Sequence, residues 1–139
     1  MPLILPLNQA TDLSIALEFL DKGEIIAFPT DTVYGVGVRL TSEQGIEDIF
    51  RIKGRNLQKA IAVLIGDMDQ LPLVVKSVPQ AARRLARQFW PGALTLVLPK
   101  RDGLPVNVSP YPTIGVRMPD HPLILDLLKM TGPLATTSA

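Results

Sequence analysis

The sequence predicts an α/β fold of the mixed (α+β) kind, a single mixed sheet with helices packed on it. β-rich runs and amphipathic helical patterns are interleaved along the chain, which is the signature of helices laid on a sheet. The turn residues Lys100-Arg101-Asp102-Gly103 join two apolar runs as a hairpin, so at least one strand pair is antiparallel. The chain has 139 residues, 47% of them hydrophobic, enough for one core of ordinary size and one domain. It shows no internal repeat, low-complexity tract or interdomain linker.

Residues 3–7 are expected as a short strand, held to a sheet edge by Pro2 and Pro6. From Asn8 the pattern turns helical, with Leu13, Ala16, Leu17 and Leu20 on one side, Asn8 or Thr11 as cap and Gly23 as stop. Residues 24–28 form a strand that Pro29 ends for want of an N–H. Thr41 and Gln44 fit a capping box ahead of Ile46, Ile49 and Phe50. Lys53, seven residues after Ile46, continues that inward face, and Gly54 closes the helix. Residues 60–65 read as a buried central strand, while residues 68–75 carry no clear pattern.

Ser77 is expected to cap a helix with Pro79 in its first turn and a stripe of Val78, Ala82, Leu85, Ala86 and Phe89. Arg83, Arg84 and Arg87 lie off that stripe as a solvated face. Trp90 and the Phe residues are expected in the core. Residues 94–98 and 106–108 are the two arms of the hairpin, and residues 114–118 make a further strand. The turn Pro119-Asp120-His121-Pro122, with His121 as a local cap contact, leads into a helix carrying Leu123, Ile124, Leu127 and Leu128. Gly132-Pro133 stops it, and residues 134–137 begin a last strand.

Fourteen Lys+Arg against thirteen Asp+Glu leave a net charge of +1, so the molecule as a whole makes no strong electrostatic bid for nucleic acid or membrane. No cysteine and a single histidine remove disulfides, thiolate chemistry and multi-histidine zinc sites. The opening residues lack a basic leader, and no apolar run approaches the roughly 18 residues of a membrane span. A soluble, unprocessed, cytoplasmic chain with no membrane partner is the expectation. The common phosphate-loop, dinucleotide, hydrolase-elbow and zinc-protease motifs are absent.

What remains is a set of hydroxyls and cations at strand and helix ends: Thr30 and Thr32, Lys53 and Arg55, Lys59, Arg117, and Thr136-Thr137-Ser138. Such groups bind anions, and in open sheets ligands collect at the carboxyl ends of strands. Lysine offers a point charge to phosphate, arginine a fork to phosphate or carboxylate. Each has a plainer reading: the basic group after Phe50 as a solvated helix end, Thr30 and Thr32 as turn residues, Asp31 as a cap. Arg117 is harder to set aside, because an arginine between Val116 and Met118 in a core-like strand needs a charged partner.

Five stretches, PTDTVYGVG, KGR, WPGALTLVLP, IGVRMPDHP and the terminal ATTSA, together resemble the YrdC-like threonylcarbamoyl-AMP synthases. They occur in the family's order. The resemblance implies an open, twisted mixed sheet with a basic concave cavity. It also implies an enzyme that makes threonylcarbamoyl-AMP and pyrophosphate from L-threonine, bicarbonate or CO2, and ATP, with Mg2+ assisting. The family's Lys-x-Arg and later Ser-x-Asn map onto Lys53, Arg55 and Ser138, which the resemblance makes catalytic; with Lys59 they take the nucleotide. Thr30, Thr32 and Arg117 fall to threonine, with Arg117 pairing its carboxylate; the metal's ligands are not implied.

The family's asparagine would fall one position past Ala139, so residues 1–139 are expected to be a YrdC-like domain incomplete at its C-terminus, with weak ligand binding and little synthase activity. Where many members read Lys-Pro-Leu-Ser-Val, this chain has Lys59-Ala60-Ile61-Ala62-Val63, which loses a hydroxyl at Ala62. A downstream tRNA threonylcarbamoyl transferase complex is the implied partner. Two alternatives stay open: a non-catalytic module that contacts tRNA or double-stranded RNA, against which the net charge and 5% aromatics argue, and a carbamoyl-adenylate-forming relative.

Overall fold

The computed structural model describes residues 3–6, 10–54 and 61–139. Six strands form one mixed sheet in the order β1-β2-β6-β3-β5-β4. The strands are β1 (Ile26–Phe28), β2 (Gly35–Arg39), β3 (Ala62–Leu64), β4 (Leu96–Pro99), β5 (Thr113–Arg117) and β6 (Leu134–Ser138). Only β3 and β5 run parallel; the other neighbouring pairs are antiparallel. The helices are α1 (Ala10–Asp21), α2 (Glu43–Ile52), α3 (Gln80–Phe89) and α4 (Pro122–Thr131), with a 3-10 turn at Met68–Leu73.

Strand alternation sends side chains to two faces, and two cores follow from it. On one face Val38, Val63, Ile114, Val116, Leu96 and Ala135 pack against Ile46, Ile49 and Phe50 of α2 and Ala82 and Ala86 of α3. On the other, Phe28, Leu64 and Leu134 meet Leu20 of α1 and Ile124 and Leu128 of α4. Each fully buried Leu, Ile or Phe contributes about 1.5–3 kcal/mol. An Arg39–Asp21 ion pair ties the end of α1 to the end of β2.

Several expected details move. Leu3–Pro6 carry no strand, and Leu3 and Ile4 are exposed; the sheet's edges are instead β1 and β4. Thr11 lies inside α1 and does not cap it, and Asn8 lies outside the described residues. Gly23 does end α1, at φ +77°, where it accepts the left-handed conformation a side chain would resist. The cap of α2 is Ser42, one residue later than expected: its Oγ accepts from Gly45 N at 3.1 Å, while Gln44 bonds Asp48. Likewise Pro79, without a side-chain bond, precedes α3 in place of Ser77. Leu85 and Phe89 stay exposed because only one narrow side of α3, through Ala82 and Ala86, comes close to the sheet.

The hairpin partner also changes. β4 pairs antiparallel with β5, and residues 106–108 form no strand. Past β4 the chain bonds instead to the segment after the 3-10 turn, through Lys76 N to Pro99 O at 2.9 Å and Arg101 N to Val74 O at 3.0 Å. Ser109, fully buried, then knits the connection together by donating to Thr113 O at 2.8 Å and accepting from Tyr111 N at 3.2 Å. The antiparallel pair exists, but the longer return strand β5 wins because its Ile114 and Val116 fill the core.

Candidate functional site

Residues 29–34 leave β1 at Pro29 and return into β2 at Gly35, and the side chains of Thr30, Asp31 and Thr32 in this loop are all hydrogen-bonded. Arg117, the last residue of β5, donates from Nη1 to Asp31 Oδ1 at 2.8 Å and to Gly92 O at 3.0 Å, and from Nη2 to Thr32 Oγ1 at 3.2 Å. Thr30 Oγ1 donates to Val33 O at 2.6 Å, and lies 3.2 Å from Thr32 Oγ1. A hydroxyl has one proton. Since that of Thr30 goes to Val33, Thr32 donates to Thr30, and the polarity runs from Arg117 through Thr32 and Thr30 to the Val33 carbonyl. Thr30 also accepts from Thr32 N at 3.2 Å, so its hydroxyl holds the loop's shape.

The charged partner that Arg117 needs is therefore Asp31, a residue that sequence reasoning took for an ordinary cap. Their side chains are 10% and 17% exposed. Burial alone would raise the Asp31 pKa, but the Asp120 backbone N–H and the hydrogen bond and charge of Arg117 outweigh it and hold the carboxyl below its usual value. The signal was available: an acidic residue between two threonines, and a strand arginine requiring a countercharge. Gly92 and the Asp120 N–H could not be found that way, because they act through backbone atoms. His121 heads α4 without capping it through its side chain, and its buried Nδ1 has no hydrogen-bond partner among the described residues.

Across the sheet the registers align Gly37, Thr136, Ala62, Gly115 and Val97 in one row. All five project to the face that carries Arg117. Gly37 makes room for Phe28, whose ring would lie 3.1 Å from an added Cβ. Further along, Ala62 and Gly115 are part-exposed and Val97 is 66% exposed. Helices α1 and α4 pack on the Leu64 and Leu134 part of this face; among the described residues the part-exposed Ala62 and Gly115 and the exposed Val97 are its uncovered strip, a trough on the same face as Arg117. Thr136 is buried and gives its hydroxyl to Ala62 O at 3.0 Å.

Thr30, Thr32 and Arg117 are thus brought together. Ser138 lies at the exposed end of β6, opposite Gly35, and the next residue's N–H reaches Tyr34 O at 2.9 Å, so Ser138 borders the same loop at its other end. Lys53 does not continue the inward face of α2: it is the exposed C-cap residue, and among the described residues no hydrogen bond or ion pair joins it to the loop. Gly54 closes the helix as expected, at φ +81°. Arg55 and Lys59 lie outside the described residues.

The site is thus an open mixed sheet with Arg117 at a strand end, held by Asp31 and Thr32. The chain belongs to the Sua5, YciO and YrdC family, whose model, described as "Telomere recombination", matches residues 18–139. It is 40% identical over 129 residues to the threonylcarbamoyl-AMP synthase of Pyrococcus abyssi, covering 91% of this chain and 38% of that protein. To the Bacillus subtilis threonylcarbamoyl-AMP synthase it is 42% identical over 127 residues, 89% of this chain and 37% of the relative. The crystal structure of P. abyssi Sua5 complexed with L-threonine superposes with a TM-score of 0.89 at 38% identity, over 94% of this chain and 39% of that one. The chain therefore spans about two-fifths of the length of these relatives.

Proposed function

We propose that this site serves the synthesis of threonylcarbamoyl-AMP from L-threonine, bicarbonate or CO2, and ATP. The observation that carries the reading is the convergence of Arg117 on the Thr30–Thr32 loop beside an open trough. The likeness to threonylcarbamoyl-AMP synthases and the threonine complex of one of them support it.

In this reading the threonine carboxylate takes a fork of Arg117, with Thr32 beside it. Its amine adds to CO2 to give a carbamate, and a carbamate oxygen attacks the α-phosphorus of ATP as the bond to pyrophosphate breaks. The protein supplies no nucleophile. Orientation and neutralisation of the charge growing on the leaving phosphates do the work, through Lys53, Arg55, Lys59 and Ser138. Mg2+ bound to the ATP phosphates would supply further neutralisation of that charge. The adenylate passes to a tRNA threonylcarbamoyl transferase complex in the cytoplasm.

The test is ATP–pyrophosphate exchange by the whole protein with threonine, serine or no amino acid, run beside calorimetric threonine binding. Threonine-dependent exchange, and threonine binding lost in Arg117→Lys, are expected. Exchange indifferent to the amino acid, or driven by carbamoyl phosphate, would overturn the reading.

A further inference from the structure

Arg83 and Arg87 stand one turn apart on α3, at the spacing where like charges repel across a helix surface. With Arg84 beside them, the helix QAARRLARQF contains no acidic residue to offset them. Among the described residues, no carboxylate forms an ion pair with any of the three. Beneath Arg83 and Arg87 lies a cavity of about 300 Å³ whose remaining walls are Met68, Ala86, Trp90 and Met118. It sits on the α2/α3 face of the sheet; Arg117 and Met118 are adjacent in the chain, and alternation sends their side chains to opposite faces.

The lining specifies its occupant. Two thioethers and an indole make an apolar, adaptable floor. The indole N–H already donates to Leu94 O at 2.7 Å, so the ring offers the cavity its apolar body. A neutral apolar guest would leave the two exposed guanidiniums at the rim without a countercharge, and a bare inorganic anion would leave the floor empty. The volume is at the small end of ligand pockets. We infer that this cavity is a second ligand site, for a small carboxylate or phosphate carried on an aryl or alkyl body, separate from the site at Arg117.

Methionine methyl NMR tests this directly, because Met68 and Met118 line the cavity while Met130, on α4, does not. The 139-residue chain, labelled with 13C-methyl methionine, is titrated with 2-naphthoate. Saturable shifts of the Met68 and Met118 methyls with Met130 unmoved are expected. Binding should weaken about tenfold in Arg83→Gln/Arg87→Gln, and similarly when 2-naphthamide replaces the acid. Both arginines are exposed, so the double variant should match the parent spectrum without ligand. Shifts shared by Met130, or equal affinity for naphthoate in the double variant, would overturn the inference.

Discussion

Where β2, β3 and β5 meet α2 and α3 they present Val38, Val63, Ile114 and Val116, all at or below 1% exposure; on the reverse of the same strands they present Gly37, Ala62 and Gly115. The residues are interleaved one by one, so the contrast is not a matter of local β propensity. A face that only had to be buried would carry branched side chains on both sides. Where α1 and α4 pack on the reverse side it too carries leucines, Leu64 and Leu134, and Gly37 yields to the Phe28 ring; only Ala62 and Gly115 combine short side chains with partial exposure. The polar investment follows the same division, with Arg117, Thr32 and Asp31 all beside the trough.

The largest effect should come from the closed face. Ile49→Ala, at 1% exposure, should cost about 2–5 kcal/mol in chemical denaturation while threonine binding survives at temperatures where the variant is folded. On the open face the ranking reverses. Arg117→Lys keeps a charge but loses the fork, and should lower threonine-dependent exchange about a hundredfold with a smaller loss of stability. Gly115→Val would raise the trough floor, with a Cβ 3.2 Å from Thr95 Cγ2. It should weaken threonine or ATP binding about tenfold and leave the denaturation midpoint nearly unchanged; a large stability loss would make Gly115 a packing residue and blur the contrast between the faces.

The smallest effect is pH-dependent. Because the folded Asp31 carboxyl has a pKa below its usual 3.8, the stability it adds is fully present above that pH and is lost as pH falls below it through the folded value. Asp31→Asn should therefore cost about 1 kcal/mol at pH 7, allowing for screening, and the gap to the parent should close below about pH 4. A gap that stayed constant down to pH 3 would show that the pair does not titrate as described.

The helices were legible because their apolar residues repeat: Ile46, Ile49 and Phe50 announce α2, and Ile124, Leu127 and Leu128 announce α4. Caps were less so, since Thr41 and Ser42 compete for one position and only the N–H of Gly45 decides. The partner of β4 was not legible, because which segment pairs with it depends on distant core packing. Thr30, Thr32 and Arg117 were singled out from their chemistry and from family resemblance, and the structure brings them together. Asp31 was passed over because its countercharge lies 86 residues away. The resemblance implied a concave face, but not which residues lie on it: Gly37, Thr136, Ala62 and Gly115 fall into one row only when the strand registers are known.

The position of β6 bears on how the molecule is made. β2 and β3 do not touch as neighbours; the strand that joins them, Leu134–Ser138, follows β3 by about 70 residues. Without residues 134–138 the strand order divides into β1-β2 and β3-β5-β4, and β2 and β3 would each be left with an unsealed edge. Joining them is a long-range event, slow relative to forming either half. During synthesis those edges would be the exposed surfaces on which misassembly could start, and a chaperone that binds extended segments would find its ligand there.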